Sequence, residues 1–326
     1  MIVLSAADVE SVLDRDALTD AVAAALSEAS AGRASVPPRV AAETTGGGLL
    51  AAMPGFLPGL GALGAKLVTV FPGNTDRPTH QAVIVLFEPA TGTPIALVDG
   101  TMLTAARTAA ASAVATRQLA RADAEVMAIL GTGVQARAHA HAVPRVCGAL
   151  REIRIAGRDQ SKSEALATAL SSELEHTVTA APTFAAALAG ADIVCATTHS
   201  PDPVVRREWL RAGTHVNSVG FNTAGREVDA QTVLDALVVV ESRVSALAPV
   251  PAGANELLWP IRDGSMEPSH VYAELGELVA GTKPGRTSPD QITLYKSVGV
   301  AVEDLAAATL VVTAAQARGV GTIVDV

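Results

Sequence analysis

The sequence predicts an α/β protein with two domains: a doubly wound, parallel one in its second half, and an α+β one drawing on both chain ends. Three patterns carry this. From about residue 120, continuous apolar runs of strand length alternate with helix-forming segments, as in a parallel sheet covered on both faces. Between residues 48 and 100 the apolar runs are instead broken by Gly, Pro, Asn and Asp, which suits strands joined by turns. Residues 301–319, AVEDLAAATLVVTAAQARG, form a helix whose broad apolar face must be covered, and the N-terminal domain is the expected surface. The expected domains are 1–119 with 301–326, and 120–300.

Taken in order, residues 8–31 have apolar residues at helical spacing and end at Gly32, predicting one surface-packed helix. LLAAMP, LGAKLVTV, HQAVIVLFE and PIALVDG follow as strands, with EPATGTP as a hairpin turn between the last two. Residues 101–120 return to strong helix formers. EVMAIL is then a strand, followed by a helix to about Pro144, the strand EIRIAG, a helix over about 162–173, the strand TVTA and a short helix. DIVCATT, HVNSVG and LVVVES are further strands, and PGRTSP (284–289) is an exposed loop.

The composition excludes several classes. With 326 residues, 49% of them hydrophobic, and a mean hydropathy of +0.34, the chain can fill two cores, and disorder is not expected. A net charge of −9 and a pI near 5.3, without any Lys/Arg cluster, argue against nucleic acid or an anionic membrane as partner. MIVLSAADVE lacks a basic leader region, and no apolar run is long enough to span a bilayer, so a cytoplasmic protein is expected. Cys147 and Cys195 stand far apart and suggest neither a disulfide nor a thiolate metal site. His139 and His141, two apart on a helix, point to opposite sides, so no metal is expected there.

The stretch 128–139, AILGTGVQARAH, carries the chemistry of the second domain. A strand precedes Gly131-Thr132-Gly133-Val134-Gln135-Ala136 and a helix follows, the context that a dinucleotide-binding Gly-x-Gly-x-x-Ala loop requires. Gly131 permits the tight turn, Gly133 lets the backbone approach a pyrophosphate, and Ala136 allows close helix packing. The helix start supplies free N–H groups for the phosphates. This makes the domain a Rossmann domain. EIRIAG then ends at Gly157, where Arg158, backed by Ser161 and Lys162, suits the 2′-phosphate of NADP or NADPH through paired charge-assisted bonds. NADH stays possible: in the other reading Arg158 is solvated and Asp159 accepts from a ribose hydroxyl.

VPPRV around Arg39, GAKLVTVFPGN around Lys66, PTHQAVIVLFEPATGTPIALVDG, LTAARTAAASAVAT around Arg107, the GTGVQA loop, VGFNTAGREVD and YKSVGVAVEDLAAA together resemble the ornithine cyclodeaminase and mu-crystallin family over nearly the whole chain. The resemblance implies a substrate-binding and dimerisation domain made from both chain ends, a Rossmann domain inserted between them, and a homodimer. It implies that Arg39, Lys66 and Arg107 hold the carboxylate of an amino acid or cyclic imine, with Lys66 also at the reacting centre. Thr79 and His80 match a hydroxyl and histidine pair near the cofactor, though His80 equally suits a hydrogen-bonded core position. Ser297 matches a position near the nicotinamide.

One departure bears on the reaction. Where the cyclodeaminases carry an Asp that serves as acid or base, this chain has Asn222. A carboxamide cannot shuttle a proton at neutral pH, although it can orient a substrate or cofactor. The expected activity is therefore NADPH-dependent reduction of a cyclic ketimine carboxylate. The alternatives are ornithine cyclodeamination with NAD, an alanine-dehydrogenase-type reaction on a 2-oxo acid and ammonia, and non-catalytic binding of the mu-crystallin type.

Overall fold

The computed structural model describes residues 1–325 and divides into two units, Met1–Arg107 with the segment from Gly299 onward, and Thr108–Val298. The expected boundaries at 119/120 and 300/301 thus shift. The first falls inside a helix, because Arg107 is tied to Glu303 and Asp304 while Ser112 and Thr116 are tied to His139 and Asn217. The second moves to Gly299, whose carbonyl accepts from Arg39 at 3.0 Å.

In the first unit, β1 (Ile2–Leu4) leads into α1 (Ala6–Val12) and α2 (Arg15–Ser30), then β2 (Val40–Glu43), β3 (Leu49–Leu57), β4 (Ala62–Val70), β5 (His80–Phe87), β6 (Pro94–Asp99) and the start of α3 (Gly100–Leu119). The single helix expected over 8–31 is two. The first ends at Leu13, which turns extended, and Asp14 caps the second, accepting from the Asp16 and Ala17 amides, as N-cap aspartates do. The sheet runs from Thr322–Ile323 through β1, β6, β5, β4 and β3 to β2. One face of β3 and β4 is buried, the other partly exposed, the period of two that strand side chains impose. The helix Ala301–Arg318 packs on the buried face. There Gly55 pairs with Gly64. A Cβ on Gly55 would lie 3.0 Å from Ala301, and one on Gly64 would lie 2.4 Å from the Val85 carbonyl and 3.0 Å from Leu305, so the glycine pair lets the helix lie close to the sheet. The opposite face presents Leu50, Leu67, Val83 and Ile95 to solvent.

The second unit is an all-parallel sheet of eight strands: β7 (Val126–Leu130), β8 (Glu152–Ala156), β9 (Thr177–Ala180), β10 (Ile193–Ala196), β11 (His215–Ser218), β12 (Leu237–Val240), β13 (Val271–Glu274) and β14 (Thr293–Lys296). Their order is β13-β12-β14-β11-β10-β7-β8-β9. Successive side chains feed opposite layers: Met127, Ile129, Ile193 and Cys195 enter one core, Ala128, Leu130, Val194 and Ala196 the other. This double burial is why the strands read as unbroken apolar runs. The chain turns back between β7 and β10, which creates a crevice at their carboxyl ends, the usual ligand position of such sheets. The helices α4 (Val134–Ala142) and α5 (Gln160–Ser171) follow β7 and β8.

The paired histidines on α4 have separate duties. His139 is buried, with Nε2 2.9 Å from Ser112 Oγ and Nδ1 2.8 Å from the Gln135 carbonyl, while His141 pairs with Glu173 at 3.0 Å. No helix of the described residues is long and apolar enough to cross a membrane.

Candidate functional site

A cluster of buried charge occupies the inner face of the first unit. Lys66 takes an inward position on β4 by strand alternation, opposite Met53 and Ile84. Its side chain is 2% exposed, and its ammonium lies 2.9 and 2.8 Å from the two carboxylate oxygens of Asp304. Arg107, on α3, donates from Nε to Asp304 at 2.8 Å and from Nη1 to Glu303 at 2.7 Å. Both acids are fully buried in the first turn of the helix Ala301–Arg318. Gly299 covers the Arg107 guanidinium: at φ 74° it takes a left-handed backbone, and a Cβ there would sit 2.9 Å from Arg107 Nη2. Arg39 is half-buried, and its charge reaches Lys66.

The electrostatics follow. Burial and then Arg107 push the Lys66 ammonium down from its ordinary value, Asp304 pulls it back up, and the result is about 8. Burial pushes Asp304 upward, but Arg107 and Lys66 outweigh it and hold the carboxyl below its usual range. Lys66 and Arg107 are cations and Glu303 and Asp304 anions, so the four fully buried side chains balance one another, and half-buried Arg39 adds a cation at their edge. Buried charge is costly unless it is balanced. Cations at such a site suit a small carboxylate, and a lysine titrating near 8 can give or take a proton.

The second unit carries the loop Gly131–Ala136 at the β7/β10 turning point. Gly131 has φ 117°, and a Cβ would meet Thr197 Oγ1 at 2.7 Å, so only glycine serves here. Gly133 opens α4 with no side-chain cap, and a Cβ on it would meet open space. The first amides of α4, near Val134, Gln135 and Ala136, therefore keep their donor capacity. Val134 is 69% exposed, and Gln135 Oε1 is buried without a hydrogen-bond partner among the described residues. An uncapped helix start, an open glycine, an exposed valine and an orphaned acceptor fit a dinucleotide lying across the loop.

At the end of β8, Gly157 packs against Thr132, and Arg158 beyond it is exposed. Asp159 is the N-cap of α5: its Oδ1 accepts from the Lys162 amide at 3.2 Å and from Ser161 Oγ at 2.6 Å. Those hydrogen bonds, Ser161 first, hold its carboxyl below the usual range. Asp159 and Ser161 are thus committed to the helix start, which leaves Arg158 and the exposed Lys162 side chain facing outward.

Asn222 lies in the loop after β11. Its Nδ2 donates to the His199 carbonyl at 3.0 Å and its Oδ1 accepts from the Ala224 amide at 2.8 Å. A carboxylate could not make the first of these bonds. Ser297 follows β14, and its amide donates to the Ser218 carbonyl at 2.9 Å. Thr79 and His80 stand at the exposed start of β5 in the first unit, 3.3 Å apart through Oγ1 and Nδ1. The core position considered for His80 is therefore not the one it takes.

The family resemblance singled out Arg39, Lys66 and Arg107 but not Glu303 and Asp304, which pair with the latter two. The available signal was a pair of acids among the apolar residues Ala301–Ala308, a stretch in which every residue is buried.

The Ornithine cyclodeaminase/mu-crystallin family model matches residues 1–319. The chain belongs to this family. A Delta(1)-pyrroline-2-carboxylate reductase of Bacillus cereus is 36% identical over the full length of both proteins. Among solved structures, the Thermococcus litoralis Delta(1)-pyrroline-2-carboxylate reductase in complex with NADH and L-proline superposes with a TM-score of 0.94 at 36% identity, covering 99% of this chain and 100% of that one. An archaeal alanine dehydrogenase dimer with bound NAD gives 0.91 at 31% identity, covering 100% and 99%. The α/β architecture with a Rossmann domain is that of these neighbours.

Proposed function

We propose that this NAD(P)H-dependent oxidoreductase of C=N bonds reduces a cyclic ketimine carboxylate, Δ1-pyrroline-2-carboxylate or Δ1-piperideine-2-carboxylate, to proline or pipecolate. The observation that carries the reading is the buried ion cluster around Lys66, with Arg39 at its edge. Arg39 and Arg107 hold the substrate carboxylate through charge-assisted hydrogen bonds. The Lys66 ammonium, steadied by Asp304, donates its proton toward the ring nitrogen. A reduced nicotinamide dinucleotide on the Gly131–Ala136 loop supplies the hydride for the imine carbon. No acid or base is needed at position 222, where Asn222 serves the loop rather than the proton.

Arg158 supports NADPH as the preferred donor, because Asp159 is occupied in capping α5. The apolar outer face of the first sheet, with Leu50, Leu67, Val83 and Ile95 exposed, supports a homodimer with a second copy covering it; light scattering on the purified protein would give twice the chain mass. The function is tested by screening both cyclic imines, and 2-oxo acids with ammonia, against NADPH and NADH. Loss of NADPH absorbance with a cyclic imine and no ammonia is expected, and Lys66→Ala should abolish it while NADPH still binds. Turnover restricted to ornithine with NAD would overturn the reading.

A further inference from the structure

The carboxyl ends of β10, β11 and β14 hold a second buried ionic group, wholly within the second unit. Glu227 accepts four hydrogen bonds: on Oε1 from Ser218 Oγ at 2.8 Å and the Gly220 amide at 2.6 Å, on Oε2 from the Thr198 amide and Oγ1, both at 3.0 Å. Lys296, 2% exposed, donates to Ser218 Oγ at 3.1 Å and to the Gly220 carbonyl at 2.7 Å, and lies 3.4 Å from Glu256 Oε1. Glu256 in turn accepts from the Glu227 amide at 3.0 Å. Gly220 is threaded through this ring so closely that a Cβ would fall 2.2 Å from the Thr198 carbonyl. From the other side, Asn255 Nδ2 donates to the carbonyls of Asn222, Thr223 and Gly225, each at 3.1 Å.

Residues 219–227 form no helix or strand, yet they are held at both ends and along the middle. Burying two carboxylates and an ammonium is a poor way to stabilise a sheet edge, because apolar residues of equal volume usually do as well or better. What the ring supplies instead is a fixed backbone path. We propose that Lys296, acting through Glu227 and Glu256, is a positioning residue that locks the 218–227 loop, and with it Asn222, at the carboxyl edge of the parallel sheet, the edge along which ligands of such sheets lie, so that a bound dinucleotide is presented to its substrate in one orientation. This rests on the reductase reading above. Without the ammonium, Glu227 and Glu256 face each other uncompensated and the loop loses its anchor. The pyrophosphate grip on the Gly131–Ala136 loop is left untouched.

The test is Lys296→Met in the full-length protein, read first by hydrogen–deuterium exchange of peptides spanning 218–227, with and without NADPH. Exchange there should rise about tenfold, as for loss of one charge-assisted bond, while β7 peptides stay unchanged. NADPH affinity should stay within about twofold, the margin expected of a change that spares the Gly131–Ala136 loop gripping the pyrophosphate. kcat on the cyclic imine should fall about tenfold, and the isotope effect with NADPH deuterated at the transferred position should increase. Glu256→Gln, which keeps the ammonium, should shift every readout the same way by less, and carries the test if Lys296→Met does not fold. Unchanged exchange over 218–227, or NADPH affinity lost in step with kcat, overturns the proposal. If the wild-type protein reduces no cyclic imine, the proposed function fails, and the exchange data still decide whether Lys296 locks the loop.

Discussion

Replacing Asp304 by Asn removes one buried negative charge while keeping the side chain's shape. Lys66 then loses the influence that holds its ammonium up; burial, Arg107 and Arg39 all push it down from its value of about 8. Two unit charges 4 Å apart interact by about 4 kcal/mol at an effective dielectric of 20, and one pKa unit is about 1.4 kcal/mol, so Lys66 should fall by about one to three units. At pH 7.5 the ammonium fraction drops from about three-quarters to about a quarter for a one-unit fall, and below about 1% for three. The assay is kcat/KM for imine reduction from pH 6 to 9.5, at a temperature well below unfolding, since breaking a buried ion cluster costs about 3–5 kcal/mol of stability. The wild type should lose activity above about pH 8, and Asp304→Asn should show the same alkaline limb displaced to lower pH. In the reverse direction, amine oxidation requires neutral Lys66, so its acid limb should move down in parallel. An unmoved limb in a folded Asp304→Asn variant would show that Lys66 does not supply the proton.

Three further outcomes are expected. Arg158→Asp should weaken NADPH by about tenfold to a hundredfold, the worth of a hydrogen bond to a charged group, and leave NADH almost unchanged; equal losses would misplace the phosphate site. Asn222→Asp turns a carboxylate oxygen toward the His199 carbonyl that the amide now contacts, so it should lower kcat without creating ornithine cyclodeamination, and gain of ammonia release from ornithine would refute this. His139 and His215 are fully buried and held neutral by burial, at about 4 and about 3. The unfolded chain protonates both near pH 6.5, so stability should fall as pH drops from 6.5 towards 4, by about 1 kcal/mol per histidine per pH unit. Denaturant melts between pH 6 and 5 should show uptake of close to two protons on unfolding, and a flat profile would mean that the two are solvated.

The doubly wound domain was legible because burial on both faces writes itself into the sequence as uninterrupted VMAIL, IVCA and LVVV. β13 and β14 were harder: VYAE and TLYK each end in a charged residue that interrupts the apolar run, and the lysine of TLYK is explained only by its neighbours Ser218, Gly220 and Glu256. The break at Asp14 was hidden because helix formers continue on both sides of it. Lys66 and Arg107 could be singled out by family resemblance, but no local pattern announces that Asp304 lies between them. That depends on the helix Ala301–Arg318 crossing β3 and β4, a contact set by Gly55 and Gly64, whose missing side chains leave no periodicity to read. Asn222 drew notice as a departure from a motif, whereas its bond to His199 emerges only from the fold.

Lys66 and Asp304 are 238 residues apart in sequence. At a synthesis rate of about 5–20 residues per second, roughly 10–50 s pass between the appearance of one and the other. Throughout that interval the nascent first sheet carries Lys66 and Arg107 without the acids that neutralise them, and its inner face without the helix that covers it. The second unit, contiguous in sequence, can fold meanwhile. The Lys66–Asp304 ion pair is therefore a late event in the life of each molecule, and ribosome-bound chains arrested before residue 299 should expose Lys66 to amine-reactive reagents from which the finished protein shields it.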